Sequence, residues 1–324
     1  MMIACKKSAG HPAAQARKGE NAVNSGKRGS INTVLSILLM VACVSMLIFG
    51  VILVRAKLLQ NTQDLGMSLA ESYAAEEELQ VTTFRNFLEL GSQYVEELNS
   101  SGADTEEIQT WLHSYFAKIT AIVGENVMDP YAVIDGAIVA ANPWEGDDGY
   151  DYQGTDWYRQ ALEADGEVIF TDAYIDAITG SPVIAAARKF EGSDDVLAMD
   201  IFPRNFHERA ESKSLPEDGS LYLCDSKGTL LYSSTKWDAS DEELQYFTDE
   251  LFKGIQDGSL LAYDASFRDP DGVQRGAYYY EMSNGWTVIL TIPFQTVLMG
   301  ERNLPVMTMV GISALVIVAM LVMV

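Results

Sequence analysis

The chain has 324 residues, with 46 Asp or Glu against 22 Lys or Arg, and a net charge of −24. That balance excludes nucleic-acid binding through phosphates, which needs clustered positive charge, and favours cationic small molecules over anions. Cys5, Cys43 and Cys224 lie far apart with no CxxC or Cys/His cluster, so neither an internal disulfide nor a metal site is expected.

Charge divides the chain into three parts. Residues 1–30 hold six Lys or Arg and one acid, residues 31–54 hold no charge, and the other 16 basic and 45 acidic residues fall in 55–303. The 24-residue run Ile31–Val54 is long enough to cross a bilayer. It is too long for the apolar part of a cleaved signal peptide, and Arg55-Ala56-Lys57 follows it instead of a cleavage site. It therefore reads as a retained transmembrane helix, with the basic tail 1–30 cytoplasmic. A second uncharged run, Leu304–Val324, closes the sequence. A helix ending flush with lipid leaves its last carbonyls unpaired, so the native chain is expected to continue into the cytoplasm. Residues 55–303 then lie outside the cytoplasm between two spans.

From Arg55 to Asn99 there is no proline, and Leu58, Leu65, Leu69, Tyr73, Phe84, Phe87 and Leu88 recur at helical spacing. This predicts a stalk of about 65 Å at 1.5 Å per residue, a natural dimer seam. SSGAD (100–104) breaks it, and Asp104 or Thr105 caps a second helix. The stripe Ile108, Trp111, Leu112, Tyr115, Phe116 and Ile119 marks that helix's core face. After residue 125 short β-like runs follow: 131–142, 171–178, 182–190 and 196–202, with turns at IDG (134–136), TGSP (179–182) and EGSDD (191–195). A second block comprises runs at 219–234, 259–267 and 276–293, an acid-capped helix near 240–254, and the hairpin signals DSKG, DPDG and SNG. Two blocks of strands, each with one helix, predict an α+β fold of two antiparallel-sheet modules. The expected boundaries are 55–122 for stalk and amphipathic helices, 123–212 for the first module, 213–300 for the second and 304–324 for the second span.

These residues resemble the double Cache sensor domains of bacterial transmembrane receptors. The resemblance is carried by GTDWYRQAL (154–162), TDAYIDAITGSPVIAAAR (171–188), VLAMDI (196–201) and GWTVILTIP (285–293). It covers about 55–298 and implies PAS-like modules, a ligand in the membrane-distal module, placement in the bacterial inner membrane, and a chemoreceptor, histidine kinase or diguanylate cyclase output. The motif of amino-acid-binding members falls on Tyr150, Trp157, Tyr158, Tyr174, Asp176 and Asp200. The arginine that pairs with the substrate carboxylate is expected two residues before the tryptophan, where this chain has Thr155. A threonine makes no bidentate, charge-assisted contact with a carboxylate. The ammonium half of the site is intact, so an amine is expected in preference to an amino acid.

The residues support that reading on their own chemistry. Asp176 and Asp200 can accept ammonium hydrogen bonds, and Trp157, Tyr158 and Tyr174 can face a cation. Strand alternation puts Asp172, Tyr174 and Asp176 on one face of TDAYIDAI. Asp200 lies in an otherwise apolar strand, where an unpaired carboxylate is costly; a ligand, or an ion pair with Arg188, would explain it. Asp156 suits a helix N-terminus or a ligand contact, and Trp144 a lid or a packed loop. EGDD (145–148) lacks calcium-loop spacing and reads as a turn. No nucleophile–base pair, phosphate loop or metal motif is present, so neither enzymatic activity nor a cofactor is expected of this chain. The competing readings are a membrane-anchored external enzyme or adhesion module, and a ligand-free sensor acting through a partner protein. A homodimer is expected.

Overall fold

The computed structural model describes residues 12–125, 127–203, 215–216, 218–262, 265–294, 311–315 and 318. Contacts divide the chain into Met1–Leu58 with Met299–Val324, and a compact unit Leu59–Leu298. Helix α1 runs from Pro12 to Ser100 and contains the first apolar run. From Val34 on it is long and apolar enough to cross a membrane, and Leu35, Ile48 and Phe49 on it are exposed. Of the second run, 304–324, only 311–315 and 318 are among the described residues, and these are helical. The expected basic tail up to residue 11 and the expected module junction at 212/213 lie outside them.

Helix α2 (Thr105–Val123) starts where Asp104 accepts from the Glu107 N–H. Its stripe is buried at Ile108, Leu112 and Ile119 and half-buried at Trp111, Tyr115 and Phe116. The first sheet follows: β1 (Tyr131–Ile134), β2 (Ala137–Ala140), β3 (Ile169–Phe170), β4 (Tyr174–Ile175), β5 (Pro182–Lys189) and β6 (Val196–Ile201). Its strand order is β2-β1-β6-β5-β3, with β4 also on β5, and every pairing is antiparallel. The two-residue turn joining β1 to β2 has Asp135 and Gly136 at φ 50° and 84°, the positive pair that a hairpin turn matching strand twist needs. Helix α3 (Asp156–Ala164) sits between β2 and β3 in sequence.

The second sheet has order β8-β7-β11-β10-β9, from β7 (Ser220–Cys224), β8 (Leu230–Ser234), β9 (Phe267–Arg268), β10 (Gln274–Glu281) and β11 (Thr287–Pro293). Helix α4 (Asp241–Gln256) interrupts it, opened by a capping box between Ser240 and Glu243. Among the described residues the chain is thus α+β, a long N-terminal helix followed by two antiparallel sheets.

Each sheet is covered on both faces. Ile184, Ala186, Leu197, Met199 and Ile201 join the core shared with α1 and α2, while Ala185, Ala187, Val196 and Ala198 pack with Trp157, Tyr158 and Ala161 of α3. Two covered faces make β5 and β6 read as continuous apolar runs rather than alternating ones. α1 serves both modules. Near the second sheet, Gly66 approaches the Tyr278 ring, and buried Glu77 accepts from the Tyr232 hydroxyl at 2.5 Å. Burial pushes that carboxyl up to about 7. Near the first, Arg188 reaches Ser92 at 2.9 Å and Glu96 at 3.7 Å, so the arginine set against Asp200 in the sequence is spent on α1.

Candidate ligand-binding site

The α3-facing side of the first sheet builds the site. In β6, Val196 and Ala198 face α3, and the period of two sends Asp200 to the same side. Cross-strand register does the rest. Tyr131 pairs with Ala140 and with Ala198, and Val133 with Ile138, so Tyr131, Ile138 and Ala140 share that face. Asp200 itself pairs with Ala185.

Two loops close over these residues. In the first, Asp147 accepts from the Trp144 N–H at 2.8 Å and returns its own N–H to the Trp144 carbonyl. In the second, Asp176 Oδ2 accepts from the Thr179 N–H at 2.5 Å and its hydroxyl at 2.7 Å, which tightens the turn from 176 to 181. The result is a cavity of about 60 Å³ lined by Met128, Asp129, Tyr131, Ile138, Ala140, Asn142, Trp144, Asp147, Tyr150, Asp176, Ala177, Ile178 and Asp200. Among the described residues four carboxylates and three aromatic rings line it, and no Lys or Arg does.

Asp200 and Asp176 are each only 5 % exposed. Asp200 Oδ1 accepts from the Tyr174 hydroxyl at 2.7 Å and, more weakly, from Tyr131 at 3.4 Å. Its Oδ2 has no donor among the described residues, and neither has Oδ1 of Asp176. Burial raises the Asp200 carboxyl to about 7; the charges of Asp176 and Asp129 add to this, and the Tyr174 and Tyr131 hydrogen bonds oppose it. Burial also raises Asp129, with a further push from Asp147. The Tyr131, Tyr150 and Tyr174 hydroxyls are raised as well, burial first, and stay protonated donors. A buried acidic site with spare carboxylate oxygens is matched by a cation carrying N–H donors.

Of the residues singled out in the sequence, Trp144, Tyr150, Asp176 and Asp200 line this cavity, and Tyr174 holds Asp200 from beside it. Trp157 and Tyr158 are both buried in the layer beneath. Trp157 meets Tyr131 edge-on at 5.3 Å, and Tyr158 meets Tyr152 at 5.0 Å and donates to the Asp194 carbonyl. Adjacent residues share one core here because α3 is short and the single turn Tyr152–Gly154 folds over its start. Thr155 is the N-cap of α3, accepting from the Tyr158 N–H and donating to the Tyr152 carbonyl at 2.6 Å. Asp156 lies on the surface, paired with Arg159.

The alternation read across TDAYIDAI fails at its start. Strand β4 is only Tyr174–Ile175, and Asp172 turns to the second module instead. There it accepts from Ser226 at 2.6 Å and pairs with Lys227 at 3.1 Å, while Asp225 accepts from the Ala173 N–H. Asp129, Tyr131 and Asn142 carry no motif in the sequence, and Asp147 belongs to EGDD, read there only as a turn; all four reach the cavity through sheet register and loop closure. A larger groove of about 780 Å³ runs between α4 and the turn after β9. Its nine-tenths-buried acid, Asp269, is already paired with Arg275, so it offers no comparable acceptor.

The family model described as Cache domain matches residues 53–300. The chain belongs to the Cache domain family. Like this Cache chain, two Bacillus subtilis methyl-accepting chemotaxis proteins share part of its sequence. McpB is 28% identical over 130 residues, which are 40% of this chain and 19% of McpB. McpC is 28% identical over 122 residues, 35% of this chain and 18% of McpC. The matched part therefore spans about a fifth of the length of these relatives.

Solved structures share the Cache fold. The ligand-binding domain of the Campylobacter jejuni chemoreceptor Tlp3, in complex with 4-methylisoleucine, superposes with a TM-score of 0.55 at 15% identity, over 74% of this chain and 94% of that one. That of the Pseudomonas fluorescens chemoreceptor CtaA, in complex with L-serine, gives 0.54 at 16% identity, over 73% and 99%. At such identities the likeness is one of fold.

Proposed function

We propose that this chain is the sensing region of a two-pass transmembrane receptor, with 55–303 extracytoplasmic. Its first sheet module, residues 123–212 and distal from the membrane, binds a small ligand bearing an ammonium group, an amine in preference to an amino acid. Support for the receptor comes from the apolar runs flanking a Cache domain and from relatives that are chemotaxis proteins. One observation carries the ligand: two buried carboxylates, each with a spare oxygen, line a cavity that has no basic side chain among the described residues. Each ammonium–carboxylate hydrogen bond contributes roughly 1.5–3 kcal/mol, and a ring facing the cation about 0.5–2 kcal/mol. Trp144, Tyr150 and Tyr131 supply such rings, with Trp157, Tyr158 and Tyr174 packed behind them. An amino acid would bring its carboxylate into a cavity that already holds four.

The second reading is a zwitterionic amino acid, favoured by the structural relatives solved with 4-methylisoleucine and L-serine bound. Calorimetric titration of the purified chain with primary amines and with L-amino acids separates the two. Primary amines should bind, with amino acids at least about tenfold weaker, and Asp176→Ala should remove binding. Equal or tighter binding of amino acids, or undiminished amine binding by Asp176→Ala, rejects the amine site. The receptor is proposed to act as a homodimer joined along α1. Its exposed Leu65, Leu79, Leu90 and Tyr94 fall within about 60° of one helix face at 3.6 residues per turn.

A further inference from the structure

The cavity holds more negative charge than one ammonium group neutralises. Asp176 and Asp200 form one carboxylate pair. Asp129 and Asp147 line the same space from other segments: the Met128–Pro130 link before β1, and the loop after β2. Each of the latter two is held by one backbone donor, Asp129 by the Asn142 N–H at 2.9 Å and Asp147 by the Trp144 N–H at 2.8 Å. Asp147 Oδ1 has no donor among the described residues. The two loops thus deliver a second, preformed acceptor pair to a site that the first pair already makes anionic. Like charges brought together in a partly desolvated space repel strongly unless a counter-charge enters with the ligand. Among the described residues no Lys or Arg lines the cavity to supply one. Apart from Asn142, its remaining walls, Met128, Ile138, Ala140, Ala177, Ile178 and the three rings, suit a short run of methylenes rather than another polar group.

We propose that the ligand is a short dication, an α,ω-diamine, with one ammonium group on Asp176 and Asp200 and the other on Asp129 and Asp147. This rests on the amine reading above and deepens it. Two acid pairs on loops that close over one cavity call for the two ammonium groups to be joined by a short spacer.

The test is titration of the purified full chain in detergent micelles, at pH 8 and with a metal chelator present, using 1,4-diaminobutane and n-butylamine. These probes match in chain length and differ by one ammonium group. The diamine should bind at least about tenfold tighter. Asp147→Asn should weaken the diamine about tenfold more than the monoamine, and Asp129→Asn should do the same. The two variants come from different segments, and unchanged thermal unfolding certifies each fold, so a misfolded variant does not decide the outcome. Equal affinities for the two amines in the unaltered chain overturn the dication and leave the amine reading standing. Failure of both amines to bind overturns both readings. A full diamine preference retained in a folded Asp147→Asn or Asp129→Asn chain overturns the second pair. Calcium or magnesium binding that competes with the diamine, in a titration without chelator, assigns the acids to a metal and overturns the proposal.

Discussion

Asp200 has to be ionised to hold a cation, yet its surroundings favour the proton, holding its pKa up at about 7. An acid whose folded-state pKa lies above its unfolded value contributes stability that is fully present below the unfolded value. That contribution is lost as pH rises through the folded value. In the ligand-free chain, Asp200 therefore favours the fold most in acid and ceases to do so above about pH 7. A bound ammonium group reverses the preference by favouring the carboxylate. Amine affinity is accordingly expected to fall about tenfold per pH unit below pH 7 and to level off above it, while the amine stays protonated. Calorimetry from pH 5.5 to 8.5 reads this directly. Asp200→Asn should bind weakly with a flat profile, and a flat profile in the unaltered chain would remove Asp200 from contact with the ligand. The other residue whose role the structure redefines is Thr155. Its hydroxyl closes the first turn of α3, which explains a threonine there without reference to any ligand.

Among the elements, α1 is the one on which both sheets are assembled, and its fit to the second sheet depends on the absence of a side chain. A Cβ on Gly66 would lie 2.4 Å from Cγ of the Tyr278 ring, itself buried on β10. Neither the helix backbone nor a ring packed in the core can yield that space. Gly66→Ala gains helix propensity but forces α1 off the sheet, and a net loss of about 1–3 kcal/mol is expected in thermal unfolding. An unchanged or raised Tm would show that the contact is not tight. Elements were also where local sequence chemistry was most legible. Asp104, Ser240 with Glu243, and Asp135-Gly136 mark their caps and turn by rules that act within four residues. β4 was not legible in that way, because Asp172 leaves the strand for Ser226 and Lys227, 54 and 55 positions along the chain.

For the whole molecule, the exposed apolar stripe on α1 and the overall charge of −24 act against each other. The charge repels a second chain, while the stripe offers an apolar seam for the proposed dimer. On the proposed dimer, Leu79→Glu places a charge in the middle of that seam. Sedimentation in detergent should then show a shift from dimer to monomer, with Tm changed little because Leu79 is already exposed. A monomeric unaltered chain, or a dimer indifferent to the substitution, excludes this seam. Within the unit Leu59–Leu298, the two modules are tied by α1 and by the Asp172 and Asp225 contacts. The segment carrying Tyr174 and Asp176 is thereby anchored to the second sheet as well as to the cavity.

What the sequence by itself determined is local or compositional. The helical stripes of α1 and α2, the two blocks of strands, the capped helix starts and the acidic balance of 55–303 all follow from neighbours a few residues apart or from totals. The tertiary structure alone decided which acids share a space. Asp200 meets Tyr131 across 69 positions, and Asp129 and Asp147 join Asp176 through separate loops. Strand register and loop closure make those meetings, and both are set by the whole core rather than by any short stretch. For the same reason Trp157 and Tyr158, side by side with Asp156 in the sequence, turn inward beneath the site while that aspartate stays outside on Arg159.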